Sequence, residues 1–362
     1  MKRNNVIYIT LALVISLTFV GLLEYVHGAA KPYYQGKTIV FIAPHEAGGG
    51  TDITARIWSK FLPPYIPGKP AIIVRNMPGG GASVGGNYAY AAPKDGLTLM
   101  VGSSNTGIGS LLQTKGVKYS YESMPIVCMV GTAEVMVGWP EIAKTYKDFT
   151  KATNLIFGME PLPNPSTATW LIFKDAAGVK SKDVLAFQGG ADRALAWYQK
   201  ETNLTWLTAP QYSQSAKAEV DKGTAVIMMQ SGLLALDGTM RRSSSWPDTP
   251  TVAEVWKELA GKDPSGIEWE ACLAMLGYCR TANKPLLFPP GTPQEYVNTL
   301  IEASSKMIKD PGYIETAKKA FGGEPTWAGK EAVDIMKFAN SFAGKTRPWL
   351  RQFMEKRGGV KF

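Results

Sequence analysis

Between residues 37 and 107 one pattern recurs: a short β-branched run, a glycine-rich turn, then residues at helical spacing. Residues 37–43 lead into Pro44-His45-Glu46-Ala47-Gly48-Gly49-Gly50-Thr51-Asp52, after which Ile53, Ile57, Trp58 and Phe61 share one helical face. Residues 71–75 lead into Asn76-Met77-Pro78-Gly79-Gly80-Gly81 and a small-residue helix over about 83–92. Residues 97–101 lead into Gly102-Ser103-Ser104-Asn105-Thr106-Gly107. Strands alternating with helices across short turns predict an α/β fold, a parallel sheet with helices on both faces. In such sheets ligands bind at the carboxyl ends of the strands, where these three loops lie.

Further along, strands are expected at 134–137, 155–157, 184–187, 204–207 and 225–229, and helices at 167–177, 191–201 and 213–222. The run Met159-Glu160-Pro161-Leu162-Pro163-Asn164-Pro165 reads as a loop, because proline breaks ladders and helices alike. Residues 241–251 look like a linker ending in a helix N-cap. Helices follow at about 292–309, after Pro311, and at about 330–355.

The N-terminus reads as a targeting segment. Lys2 and Arg3 precede an apolar run over 6–23, and Gly28-Ala29-Ala30 offers a small-residue cleavage site. The expectation is a signal peptide over 1–30, with an uncleaved anchor as the alternative. Either places residues 31 onward outside the cytoplasm, and their length suits two lobes of ordinary domain size.

The net charge is +9, but Lys and Arg are scattered with no basic-aromatic stripe, so nucleic acid is not an expected partner. An anionic solute is the natural beneficiary of that charge, solubility the plainer one. Cys128, Cys272 and Cys279 are too few for a disulfide scaffold and are expected as buried free thiols. With only His27 and His45 in the chain, no metal site, cofactor or His-based triad is expected, and no catalytic residue is assigned.

The first loop carries the strongest chemistry. Gly48, Gly49 and Gly50 leave the amides bare, and the helix starting near Thr51 points its positive end at the same place. It is not a P-loop, since no Gly-Lys-Ser/Thr follows, nor G-x-G-x-x-G, since Ile53 takes the last position. Asp52 is either a first-turn carboxylate favoured by the helix dipole or a ligand contact, and the structural role is preferred.

The run Ile39-Val40-Phe41-Ile42-Ala43-Pro44 with Ala47-Gly48-Gly49-Gly50-Thr51-Asp52-Ile53-Thr54-Ala55-Arg56 resembles the opening signature of the tripartite tricarboxylate transporter solute receptors, the Bug or TctC family. Val74-Arg75-Asn76-Met77-Pro78-Gly79-Gly80-Gly81, Ala91-Ala92-Pro93-Lys94-Asp95-Gly96, Phe187-Gln188-Gly189-Gly190-Ala191, Pro247-Asp248-Thr249-Pro250-Thr251 and Pro289-Pro290-Gly291-Thr292-Pro293 follow in the family's order. The resemblance implies a type II periplasmic-binding-protein fold with a ligand cleft between two lobes. The first lobe would start at 31–133, the second span 134–246, and 247–362 return to the first and end in helices. It implies a small carboxylate as ligand, integral membrane transporter subunits as partners, and a monomer. By position, the ligand contacts would be Glu46, Gly48, Gly49, Gly50, Thr51 and Asp52; Ser103, Ser104, Asn105 and Thr106; Ser166 and Thr167; and Gln188, Gly189, Gly190 and Ala191. Asn76 and the turn at 78–81 are expected to shape the loop.

Two departures from the family pattern bear on the ligand. His45 and Glu46 replace an aromatic or apolar residue and a small one; Glu46 either faces solvent or meets an amine on the ligand. The proline-rich 159–165 replaces a glycine-rich loop. Arg193 is expected as a solvated helix residue, with bidentate pairing to a second carboxylate as the alternative. Trp197 and Tyr198 adjoin on a helix, so one of them should be exposed. The rival functions are a membrane-anchored sensor and an extracellular enzyme on the same scaffold.

Overall fold

The structure, a computed structural model, describes residues 31–362. The expected leader over 1–30, with His27, lies outside the described residues. No helix among the described residues is long and apolar enough to cross a membrane.

The chain opens with β1 (Thr38–Ala43), α1 (Gly50–Phe61), β2 (Ala71–Asn76), α2 (Ser83–Tyr90), β3 (Thr98–Val101), α3 (Ser104–Leu112) and β4 (Ile126–Val130). It continues through β5 (Glu134–Gly138), β6 (Ile156–Met159), α4 (Pro165–Ala177), β7 (Lys182–Leu185), α5 (Gly190–Tyr198), β8 (Leu204–Thr208), α6 (Ala209–Ser215), α7 (Lys217–Asp221) and β9 (Val226–Gln230). A small ribbon, β10 (Leu233–Leu234) and β11 (Met240–Arg241), precedes α8 (Val252–Ala260) and α9 (Gly266–Leu276). A π-turn at Gly277–Thr281 leads into β12 (Lys284–Leu287), α10 (Gln294–Met307), α11 (Pro311–Phe321), β13 (Thr326–Ala328) and α12 (Gly329–Gly358).

Two sheets repeat one strand order. The first reads β2-β1-β3-β12-β4-β13 and the second β7-β6-β8-β5-β9. In each, the strand that crosses over from the other lobe sits fourth, β12 in the first and β5 in the second. Both run against their neighbours: β12 is antiparallel to β3 and β4, and β5 to β8 and β9. The wholly parallel sheet expected from the strand–turn–helix pattern is therefore corrected to a mixed one. A crossover strand enters from the far lobe and so meets the sheet from the opposite end. β1 with β2 and β3, and β6 with β7 and β8, are parallel as expected.

The first lobe packs α1 on the sheet through Trp58, which is fully buried with Ile39, Phe41 and Leu286, and its indole N–H donates to the Tyr313 hydroxyl at 3.3 Å. That anchor sets where α1 begins, hence where its first-turn amides point; truncating Trp58 to Ala would cost about 3–5 kcal/mol. The second lobe packs around Trp170, Phe157, Trp206 and Trp197, the last stacked on Trp139 with ring centroids 4.4 Å apart. Tyr198, next to Trp197, is 56% exposed, so the adjoining pair divides as expected. Cys128, Cys272 and Cys279 are free and buried. Cys272 lies on α9 and Cys279 in the π-turn.

Candidate functional site

The first-lobe loops meet at a pocket of about 370 Å³ lined by His45, Glu46, Gly49, Gly50, Thr51, Ser103, Ser104, Asn105 and Lys284. Two helix N-termini face it. α1 starts at Gly50 with extended Gly49 as its N-cap and no capping side chain, so its first-turn N–H groups have no side-chain acceptor. α3 starts beside Ser103, whose hydroxyl accepts the Thr106 N–H at 3.2 Å in a capping box. Both helices direct the positive end of their dipoles at the pocket.

The loop is held from behind. Gly48 has φ +81°, a left-handed conformation that glycine adopts without strain. Its N–H donates to Asp52 Oδ2 at 2.9 Å, and Arg56 Nε donates to the same oxygen at 2.9 Å. Asn76 Nδ2 donates to Asp52 Oδ1 and to the His45 carbonyl, each at 3.0 Å. Asp52, 2% exposed, thus has both oxygens occupied, and the Arg56 hydrogen bond leads the interactions that hold its carboxyl below the ordinary range. Asp52 and Asn76 act on the loop, not from its mouth.

His45 Nε2 lies 2.7 Å from Ser103 Oγ and ties the first loop to the third. Burial, then the nearby Lys284, pushes the His45 pKa below its ordinary value, so the imidazole is neutral at pH 7. Glu46 is exposed at the rim. Thr106 is fully buried, and its hydroxyl pairs with Tyr121 at 2.5 Å. Ser104 Oγ donates to the Cys279 carbonyl at 3.1 Å and accepts from Asn283 Nδ2 at 2.6 Å. Asn105 is exposed in the pocket wall.

Lys284 escaped the sequence reading. It enters the pocket from the first residue of β12; a Cβ added at Gly50 would stand 3.9 Å from its Cε, and its ammonium donates to Asn283 Oδ1. Burial, reinforced by Arg280, lowers its pKa to about 8. Arg280 was missed as well. Its Nη2 meets Glu134 Oε2 at 2.8 Å, while Ser166 Oγ donates to that oxygen at 2.5 Å and also contacts Arg280. All three residues are buried, and the cluster ties the π-turn before β12 to the start of β5 and the start of α4. The available sequence signal was that Arg280 and Lys284 are the only charges between residues 271 and 288.

The second-lobe candidates divide. Thr167 is fully buried, its hydroxyl donating to the Glu160 carbonyl at 2.7 Å, and Ser166 belongs to the Arg280 cluster. Gln188 and Ala191 are exposed, and Gly189 and Gly190 half-buried, at the start of α5. Arg193 corrects the expectation of a solvated helix residue: it is 3% exposed, and its Nη2 lies 3.5 Å from Glu160 Oε1 on the loop after β6. None of the second-lobe candidates lines the first-lobe pocket. Among the described residues no group of three metal-ligating side chains comes together.

No family model matches the chain. Over 343 residues it is 23% identical to a UPF0065 protein of Bordetella pertussis, covering 92% of this chain and 94% of that one. It is 29% identical over 128 residues to BugT of the same bacterium, 33% of this chain and 38% of BugT. A TctC solute-binding protein from Polaromonas superposes with a TM-score of 0.64 at 17% identity, over 86% of this chain and 99% of that one. MatC of Rhodopseudomonas palustris, solved with malate bound, superposes with a TM-score of 0.57 at 18% identity, over 87% and 99%. The fold is thus that of the periplasmic solute-binding proteins, the two-lobed type II class. Within that class, the sequence likeness runs to the Bug/TctC proteins, as the first-loop motifs implied.

Proposed function

We propose that the chain is an extracytoplasmic receptor that captures a small carboxylate between its lobes and delivers it to integral membrane transporter subunits. One observation carries the reading: the uncapped start of α1, the start of α3 and the Lys284 ammonium all face one pocket. A carboxylate there would accept from the bare amides of Gly49, Gly50 and Thr51 and pair with Lys284, each a charge-assisted hydrogen bond. The malate bound by MatC supports a ligand of this chemistry. Neutral His45 and the Ser103 hydroxyl offer a donor or acceptor to a polar group beside that carboxylate.

Binding would bring the second-lobe loops at 160–167 and 188–191 over the ligand, and the closed form is what a membrane partner would recognise. The binding protein acts as a monomer without cofactor or catalysis. Thermal shift and tryptophan fluorescence against mono-, di- and tricarboxylates test the reading. A saturable response to at least one carboxylate is expected. A response confined to sugars or cations would refute it.

A further inference from the structure

The excess positive charge of the chain is concentrated in one part of the first lobe. The cations are scattered along the sequence, but the acids are not. Residues 53–121, from α1 to the turn before β4, hold seven Lys or Arg against one acid, Asp95, and so supply +6 of the net +9. Arg75, Lys115 and Lys118 are exposed and, among the described residues, form no ion pair. Glu122, the next acid along the chain, is taken up by Arg347.

Three apolar side chains stand among these cations. Ile73 and Arg75, two apart on the outermost strand β2, share one face of it. Val84 and Tyr88, four apart on α2, share a helix face, and the Arg75 guanidinium sits over the Tyr88 ring at 5.3 Å, which joins strand to helix. Asn87 donates to the Gly116 carbonyl at 2.7 Å and accepts the Lys118 N–H at 2.8 Å, which sets the turn carrying Lys115 and Lys118 beside α2. Ile73 is 52%, Val84 48% and Tyr88 45% exposed. Soluble surfaces ordinarily mix both signs of charge and avoid apolar patches, and this face does neither. The glycine turn before α2 stands open beside it, since a Cβ added at Gly81 would meet nothing within 4 Å. Protruding apolar groups flanked by cations fit a broad, flat anionic surface better than a peptide, which needs pockets for its anchors.

We propose that this face of the first lobe rests on an anionic lipid surface, with Arg75, Lys115 and Lys118 on the headgroup phosphates and Ile73, Val84 and Tyr88 dipping into the headgroup layer. Such contact would hold the receptor beside membrane subunits of the kind proposed above. It invokes no residue of the ligand pocket, so it stands or falls apart from the carboxylate reading.

The test is sedimentation of residues 31–362, which lack the apolar run over 6–23, with vesicles of phosphatidylcholine alone or with phosphatidylglycerol added. Partitioning onto the phosphatidylglycerol vesicles is expected, weakening as salt shortens the reach of charge, with little onto phosphatidylcholine. Each cation at such a surface is worth roughly fivefold in partitioning, so Arg75→Gln with Lys118→Gln should lower it about 25-fold. Lys180→Gln with Lys182→Gln removes the same charge from exposed positions in the second lobe and should change it by less than about twofold. Val84→Ser with Tyr88→Ser should weaken partitioning at unchanged charge, and unaltered urea midpoints show that the variants are folded. No partitioning, equal partitioning onto both kinds of vesicle, or equal losses from the first-lobe and second-lobe charge pairs overturns the proposal. So does binding of soluble polyglutamate to this face without binding of vesicles, which would make it a site for an acidic protein segment.

Discussion

Replacing Lys284 with Met keeps most of the side-chain volume and removes the one cation in the wall of the first-lobe pocket. A hydrogen bond to a charged partner is worth about 1.5–3 kcal/mol, roughly 10- to 150-fold in Kd. Lys284 is half-buried and already bonded to Asn283, so the lower end applies and about tenfold weaker carboxylate binding is expected. The pH profile gives an independent readout. With a pKa of about 8, the free protein's Lys284 is about nine-tenths protonated at pH 7 and about one-tenth at pH 9. A bound carboxylate favours the protonated amine, so affinity is held below the free-state pKa and lost as pH rises through it, about tenfold between pH 7 and 9. The ligand's carboxyl groups are fully ionised over that range and contribute nothing to the slope. Calorimetry from pH 6.5 to 9.5 measures the effect, and Lys284→Met should bind weakly but with no such slope. A flat wild-type profile, or a Met variant that binds as tightly as wild type, would refute the placement of the carboxylate against Lys284.

Other consequences concern the frame around the site. Asp52→Asn weakens the bonds from Gly48 and Arg56 that hold the first loop, and should cost about 1–3 kcal/mol in urea unfolding together with weaker carboxylate binding; unchanged stability would count against its role behind the loop. Removing Glu134 alone leaves Arg280 buried without its partner, so Glu134→Ala should destabilise by about 3–5 kcal/mol, whereas replacing both by Met should cost much less. Glu324 is buried, with Oε2 unpartnered, and desolvation raises its pKa above 4.5. Its protonated form suits the fold, so its contribution is complete below about 4.5 and lost as pH rises toward the higher folded-state value. Glu324→Gln should remove that loss, seen as a flatter urea midpoint between pH 4 and 7; an unaltered pH profile would exclude the effect.

The first lobe was legible because its strands, turns and helices follow one another locally: periodicity marked β1, β2, β3 and the helices after β1 and β2, whereas residues 102–107, read as a closing loop, run into α3 from Ser104. Of the strands passed over, β4, β12 and β13 pair across long sequence separations, and β4 is buried along its whole length, so no alternation announces it, while β10 and β11 are only two residues each. The glycine loop was legible for its bare amides, and Asn76 for its family motif. Lys284 and Arg280 were not, because their meaning comes from a crossover that returns the chain to the first sheet beside Gly50. Arg193 was misjudged because exposure statistics treat an arginine on a polar helix turn as solvated, and only the fold brings Glu160 beside it.

A crystal structure of residues 31–362 with the tightest-binding acid of the carboxylate panel decides where the ligand carboxylate sits. Closed lobes are expected, with one ligand carboxylate within about 3 Å of the Gly49, Gly50 and Thr51 amides and of Lys284 Nζ. A ligand bound elsewhere, or one that presents no acidic group to that loop, would contradict that placement.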